Sequence, residues 1–99
     1  MKKILVLSAF IIIVFSCADK SNQKAIAKGK KVFKQNCVIC HGIDGKLGMN
    51  NSKDLTISVL KRDERISMIK NGKGLMTPFG KILSAEDIQA VADYTFTLK

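Results

Sequence analysis

The segment CVICHG, residues 37–42, limits what this chain can fold into more than any other segment. It places Cys37 and Cys40 one helical turn apart and follows them at once with His41, the only histidine in the sequence. Two thiols beside an imidazole suit three kinds of site: a redox dithiol, part of a zinc site, or the attachment point of a haem. The choice among them depends on the rest of the chain.

The N-terminal residues are typical of an export signal. Two lysines precede an almost uninterrupted apolar run, residues 4–15, which is shorter than the roughly 20 residues needed to cross a bilayer as a helix. The stretch VFSC, which ends at Cys17, is similar to a bacterial lipobox. We therefore predict a lipoprotein-type signal peptide over 1–16, lipidation of Cys17 and a membrane-anchored location on the periplasmic side. Ordinary cleavage after Ala18, which would give a soluble periplasmic protein, is the alternative.

The mature chain divides into a polar tether, residues 17–23, and one domain, residues 24–99. A domain of roughly 75 residues buries little apolar surface, so it commonly needs a disulfide, a metal or another addition to its core. The formal net charge of the whole chain is +9. An exported protein rarely meets nucleic acid, and no aromatic residues alternate with the lysines as a stacking surface would require. An acidic protein partner is the better interpretation of the charge.

Apolar periodicity predicts an all-α domain with long loops. In chain order, helices are expected over 23–36, from about Asp63 to Asn71 and from about Ala85 to the C-terminus, and glycine-rich loops over 42–52 and 72–83. Ser84 stands where an N-cap residue should be, and Asp87 follows it by three positions like the acidic partner of a capping box. No segment alternates like a strand.

The predicted helices favour one chemistry for the cysteines. A thioredoxin-like dithiol needs a βαβ fold, a zinc site needs a fourth ligand, and a structural disulfide across four residues closes little chain entropy. The CxxCH pattern is instead the attachment signal of c-type haem, with Cys37 and Cys40 binding the porphyrin and His41 the iron. One covalent haem c would also supply the missing core.

A second axial ligand must come from a methionine, because no second histidine exists. Met49 follows His41 in the same loop and is poorly placed to reach the opposite face of the ring. Met68 falls inside a predicted helix, where a methionine usually fills space. Met76 lies in a glycine-flanked loop stiffened by Pro78, and we predict that it is the second ligand.

These motifs together resemble the class I c-type cytochromes, in particular small single-haem proteins of the cytochrome c6 and oxidase-subunit type. The resemblance covers residues 24–99 and consists of GKKVF, CVICHG, DG, KDLT, IKNGKGLMTPFG and LSAEDIQAVADY, in that order. It implies a cytochrome c fold of three to five short helices around one covalent haem. It also implies that the first and last helices cross at Gly29 and Tyr94, with Phe33 nearby.

One position departs from the family. Many members carry a proline just before the DL element, and its backbone carbonyl orients the haem histidine; this chain has Lys53 there. A metal-bound histidine normally donates its other ring N–H to an acceptor. A carbonyl in the stretch 50–53 is expected to serve, without the sequence indicating which one.

With both axial positions filled, the expected function is single-electron transfer between redox proteins of a respiratory chain by a monomeric carrier that is not an enzyme. Four lysines are candidates for steering an acidic redox partner: Lys46, Lys70, Lys73 and Lys81. Three alternatives remain open: a fixed subunit of a dehydrogenase or oxidase complex, a haem-based sensor, and a thiol-disulfide protein.

Overall fold

A computed structural model describes residues 16–99, with side chains from residue 20 onward. The predicted signal peptide up to residue 15, and the side chain of Cys17 as the predicted lipidation site, lie outside the described part. Four α-helices follow one another: α1 (Ser16–Asn36), α2 (Val38–His41), α3 (Arg62–Asn71) and α4 (Ala85–Thr95). A 3-10 turn, Met49–Asn51, stands between α2 and α3.

The described residues contain no strand, and their one β-type pairing is an isolated antiparallel bridge between Lys73 and Met76. The all-α prediction is therefore confirmed. Helix α1 is 21 residues long, well beyond the short helices expected. Within residues 16–99, no helix combines the length and the apolar character that crossing a membrane requires.

Helix α1 differs from its prediction at its start. It begins at Ser16 rather than near residue 23, so the segment 17–23, predicted as a tether, is helical. Residues 20–27 are all exposed, so packing against the domain does not explain why this segment is helical. The segment is free of Gly and Pro up to Gly29 and includes the good helix formers Ala, Lys and Gln. Polarity correctly indicated solvent exposure but did not indicate conformation.

The centre of the domain is the crossing of α1 and α4 at Gly29. A Cβ atom on Gly29 would collide with the Ala90 carbonyl oxygen and would lie 2.8 Å from the Cβ of Tyr94. Only glycine allows the two backbones to approach so closely. The rings of Phe33 and Tyr94 pack beside the crossing with centroids 5.3 Å apart and planes tilted by 54°. Phe33 is 1% exposed, so this contact forms the core of the domain.

Helix α4 starts as predicted and ends earlier. The Ser84 side chain accepts a hydrogen bond from the Asp87 backbone N–H at 3.1 Å. The helix stops at Thr95, whose hydroxyl donates to the Ala92 carbonyl at 2.6 Å. The same hydroxyl accepts a bond from Arg65 at 2.9 Å, and the guanidinium lies 3.7 Å from the centre of the Phe96 ring. Beyond Thr95 the backbone forms a turn instead of the predicted helix, with the Phe96 and Thr97 N–H groups donating to the Asp93 and Tyr94 carbonyls at 3.2 and 2.9 Å.

Arg65 in α3 is a buried residue that the sequence did not reveal. It is 7% exposed and also donates to the carbonyls of Ser58 and Leu60, at 3.1 and 3.0 Å. Every acceptor is neutral, so burial lowers the pKa of the guanidinium. Arg65 therefore ties the loop before α3 to the end of α4.

Candidate haem-binding site

Helix α2 holds the two cysteines and the histidine on a single turn. The Cys37 backbone N–H donates to the Phe33 carbonyl at 2.9 Å, which joins α2 directly to the end of α1. The Cys37 carbonyl then accepts from the N–H groups of Cys40 and His41, at 3.3 and 2.9 Å. The buried end of α1 thus fixes the position of the whole CxxCH segment.

The two thiols are half-buried and not joined in a disulfide. Burial, with a smaller contribution from Cys40, raises the pKa of the Cys37 thiol to about 11. A thiol with a raised pKa holds little thiolate and is a poor nucleophile, which disfavours a redox dithiol. No group of three His, Cys, Asp or Glu side chains in the described residues is arranged to hold a metal ion, which disfavours zinc.

The imidazole of His41 is oriented by a backbone carbonyl. Its Nδ1 lies 3.0 Å from the carbonyl oxygen of Lys53. A carbonyl can only accept, so Nδ1 is the donor of this contact, and the ring is oriented so that Nε2 is the nitrogen a metal would use. The departure at Lys53 therefore leaves the expected acceptor in place, since the interaction uses the backbone and not the side chain.

The turn after Lys53 holds that carbonyl in position without a proline. The Asp54 carboxylate accepts from the Thr56 backbone N–H at 2.9 Å and from its hydroxyl at 2.6 Å. These two bonds lower the pKa of Asp54. A side chain that closes a turn on the backbone two residues later restricts the conformation much as a proline would.

Two further side chains from the same loop bind α2, and sequence reasoning missed both. The Ser52 hydroxyl donates to the Cys40 carbonyl at 2.7 Å, and the Asn50 amide lies 3.8 Å from the Cys40 sulfur. Asn50 and Asn51 have φ angles of 55° and 61°, the left-handed region that asparagine tolerates better than most residues. The Asn-Asn pair in the sequence indicates a turn here, but it does not indicate that this turn contacts Cys40.

The loop that carries Met76 is held by backbone contacts. The Phe79 and Gly80 N–H groups donate to the carbonyls of Ile69 and Lys70, at 2.9 and 3.0 Å, which folds the loop back on the end of α3. Gly72 starts the loop with a φ of +66°, and a Cβ there would lie 2.5 Å from the Met76 carbonyl oxygen. Glycine at this position is therefore required by the shape of the loop.

Of the three methionines, Met76 has the most suitable surroundings. It is half-buried and packs against the core cluster that Cys37 of α2 also contacts. Met49 is 52% exposed and is followed by Asn50, which contacts Cys40, so it lies on the histidine side. Met68 is half-buried and lines a groove along α3 together with Leu60. The assignment of Met76 as the second ligand stays a prediction.

The apolar surface around these residues fits a large apolar group. Eight of the ten large apolar side chains exposed in the described part lie on α2 or in the two loops that flank the candidate ligands. They are Ile39, Ile43, Leu47, Met49, Ile57, Val59, Leu75 and Ile82. A small domain rarely exposes so much apolar side chain unless something covers it. Free thiols, an imidazole oriented by the Lys53 carbonyl and these exposed apolar side chains together fit a covalent haem.

Comparison with known proteins matches most of the domain. The family model described as "Cytochrome C oxidase, cbb3-type, subunit III" matches residues 24–94, which include α2 and Met76. The chain is 35% identical to a cytochrome c6 of Gloeothece citriformis, over 95% of this chain and 92% of that protein.

Solved structures give the same result for the fold. The structure of cytochrome c6 from the diatom Phaeodactylum tricornutum has a TM-score of 0.64 and 30% identity, covering 73% of this chain and 91% of that one. The structure of cytochrome c6C from Synechococcus sp. PCC 7002 has a TM-score of 0.63 and 28% identity, covering 71% and 92%. The expected arrangement of helices and long loops is thus found in solved cytochromes.

Proposed function

This chain belongs to the class I c-type cytochromes, as an electron carrier with one covalently bound haem c and not as an enzyme, and from that membership we propose how it works. The proposal is that it passes single electrons between redox proteins of a respiratory chain. The axial ligands are His41 and Met76, and the haem is joined to Cys37 and Cys40. Its partners are redox proteins with acidic docking surfaces, and it acts as a monomer.

The bound haem supplies a one-electron Fe(III)/Fe(II) couple, and the thioether ligand of Met76 favours a raised potential. The residues of the chain hold that group and exclude water. The Lys53 carbonyl keeps the Nδ1 proton of His41 in place, so the imidazole presents Nε2 in one orientation. Filled axial positions leave no site for a substrate, which supports electron transfer over catalysis.

The observation that carries the proposal is the 3.0 Å contact between His41 Nδ1 and the Lys53 oxygen. A metal-bound histidine normally donates its other ring N–H to an acceptor of this kind. The test is a redox titration of the purified exported protein, followed by denaturation. We expect a reversible one-electron transition and a haem that stays on the denatured chain. A haem that can be extracted would contradict covalent attachment through Cys37 and Cys40.

The acidic partner is supported by four exposed lysines near the ligand loops: Lys46, Lys70, Lys73 and Lys81. We call them the loop lysines. Three of them flank Met76 in sequence, where a partner would approach the exposed apolar side chains Leu75 and Ile82. Charge attraction speeds encounter and is screened by salt. Reduction by the physiological partner should slow steeply as salt rises; a flat response would remove the steering role.

We propose further that Cys17 is lipidated after removal of residues 1–16, which anchors the carrier to a membrane on the periplasmic side. The support is the VFSC stretch at the end of an apolar run. Mass spectrometry of the mature N-terminus decides this. A lipid-bearing Cys17 is the expected result, whereas an unmodified Asp19 start would mean cleavage after Ala18 and a soluble carrier.

A second candidate function is a fixed electron-transfer subunit of an oxidase. It is supported by the description of the matching family model, which names an oxidase subunit. Gentle solubilisation and purification separate the two candidates. A stable complex of fixed stoichiometry would favour the subunit, and recovery of the isolated chain would favour the mobile carrier.

A further inference from the structure

The solvent face of α1 carries positive charge and, from residue 20 onward, no negative charge. Between residues 20 and 36 the helix has no acidic residue and six lysines: Lys20, Lys24, Lys28, Lys30, Lys31 and Lys34. The acidic residues of the domain lie elsewhere, including Glu86, Asp87 and Asp93 on α4. Helices α1 and α4 therefore face each other with opposite charges, and α1 carries more than α4 can neutralise.

Four of the six lysines form a single line, which we call the α1 lysine stripe: Lys20, Lys24, Lys31 and Lys34. At about 100° of rotation per residue, they fall within an arc of about 80° on the helix surface. The same geometry places the buried residues Gly29, Val32 and Phe33 on the opposite side. The stripe thus faces directly away from α4, and its length is about 20 Å.

The stripe does not include Lys28, the lysine of α1 that forms ion pairs with α4. Lys28 lies at the edge of the helix and pairs with Glu86 at 2.9 Å and Asp87 at 3.2 Å, which raises its pKa. Within the described side chains, the other ion pair joins Arg62 to Asp93. The stripe lysines take part in neither pairing. Folding of the described domain therefore gives no reason for their alignment.

A shallow depression lies beside the stripe at its C-terminal end. It is lined by Ala27, Lys30, Lys31, Lys34 and Gln35. Three of its five lining residues are lysines, so the hollow adds to the positive charge of the stripe. A flat array of anionic headgroups matches both the straight stripe and this hollow.

We propose that the α1 lysine stripe is a docking surface for an anionic phospholipid bilayer, against which the carrier lies with α1 parallel to the membrane. The inference deepens the anchoring proposal, since a lipid on Cys17 would stand one helical turn before Lys20. A lysine near an anionic membrane surface strengthens binding about fivefold, so four lysines together strengthen it by on the order of several hundredfold.

A redox partner fits this surface less well than a membrane. Lys20 precedes Cys37 by 17 positions along a continuous helix, so about 25 Å separates the start of the stripe from the haem attachment site. Residues 20–27 also extend beyond the packed domain. Lys34, at the other end of the stripe, is only three positions from Cys37, but a protein docked over Lys20 and Lys24 would hold its cofactor far from the haem. A bilayer docked there would leave the loop lysines and the ligand loops open to partners.

The test uses the haem-loaded chain that begins at Asp19, one of the two mature forms considered above. This form has no lipid, so any vesicle binding that it shows comes from the protein surface. Its affinity is measured by co-sedimentation with phosphatidylcholine vesicles and with vesicles half phosphatidylglycerol. The stripe variant changes Lys20, Lys24, Lys31 and Lys34 to Gln. The matched control changes the four loop lysines to Gln, which removes the same net charge.

We expect the unchanged chain to bind the anionic vesicles and not the phosphatidylcholine vesicles. The affinity should fall several hundredfold in the stripe variant and less than tenfold in the control. Reduction by the redox partner should be slowed only in the control. Equal losses in both variants, or a larger loss in the control, would overturn the proposal, as would no binding at all. A stripe variant that keeps its vesicle binding but reacts slowly with the partner would identify a protein surface instead. An Asp19 start in the native protein would refute the anchor while leaving the vesicle result intact.

Discussion

The two loops that carry the candidate axial ligands are built in different ways. The histidine-side loop, residues 42–61, is held to α2 by polar bonds, including those from Ser52 to Cys40 and from His41 to Lys53. The methionine-side loop, residues 72–84, is held by backbone bonds to the end of α3 and by the close fit of Gly72.

Because the loops differ in this way, the two candidate ligands are held in position by different kinds of contact. On the histidine side, each of the polar contacts named above is one hydrogen bond with a net value of about 1 kcal/mol, so single truncations should be tolerated. On the methionine side, the path of the backbone places Met76, and at Gly72 an added Cβ would meet backbone atoms rather than a side chain that could move. Polar truncation should therefore be mild on the first side, and added bulk should be severe on the second.

The largest expected effect comes from removing Met76, the proposed second axial ligand. Met76→Ala should lower the reduction potential by on the order of 0.2 V, within the roughly 0.8 V range that axial ligands span. The reason is that a thioether stabilises Fe(II) relative to Fe(III). Potentiometric titration measures the change. Met49→Ala and Met68→Ala are the matched controls and should shift the potential little; a large shift in either one, with Met76→Ala unchanged, would reassign the ligand.

The next effect tests the fit of the methionine-side loop. Gly72→Ala should lower the free energy of unfolding by about 3 kcal/mol, since the new Cβ adds a backbone clash to the cost of a left-handed φ. Gly74 is an internal control, because its φ is +59° but no atom lies within 4 Å of the added Cβ. Gly74→Ala should cost only about 1 kcal/mol. Denaturant unfolding of the haem-loaded proteins gives both values, and equal losses would exclude the steric explanation.

On the histidine side, Ser52→Ala removes the 2.7 Å bond to the Cys40 carbonyl. We expect a loss of about 1 kcal/mol in the free energy of unfolding and a reduction potential close to that of the unchanged protein. Ser67→Ala is the control, since Ser67 is exposed on α3 and its hydroxyl accepts only from Asn71. If Ser52→Ala changed the reduction potential as much as Met76→Ala, this loop would control the potential of the haem as strongly as the proposed ligand does.

The smallest effect is expected at the position that departs from the family. Ser52 has φ −61° and ψ 140°, the extended conformation that a following proline requires. No backbone acceptor for the Lys53 N–H is found within residues 16–99. Lys53→Pro should therefore keep the carbonyl bond to His41 and raise the free energy of unfolding by about 0.5 kcal/mol. A destabilised protein would show that the Lys53 backbone is incompatible with proline.

Local patterns predicted the elements that depend on local chemistry. Ser84 was identified as a cap from its position, and it accepts the bond that defines a cap. The CxxCH segment indicated its own geometry, because three ligand-type residues share one turn. The all-α class followed in the same way from the helical spacing of apolar residues.

The features that sequence did not reveal depend on contacts between distant residues or on the backbone. The hydroxyl of Thr95, the last residue of α4, accepts a bond from Arg65, which lies 30 positions away. Arg65 looked like one more surface charge in a lysine-rich chain. The acceptor for His41 is a carbonyl, which every residue has, so the identity of Lys53 could not indicate it. Helix α1 extends without packing, where only weak helix propensity favours one conformation.

The central claim is that the haem iron is held between His41 and Met76, and NMR of the reduced protein tests it most directly. A methionine methyl group bound over a haem is shifted far upfield by the ring current, apart from all other signals. The account predicts one such signal, present in Met49→Ala and Met68→Ala and absent in Met76→Ala. If the signal survives replacement of Met76, the assignment of the axial ligand is wrong.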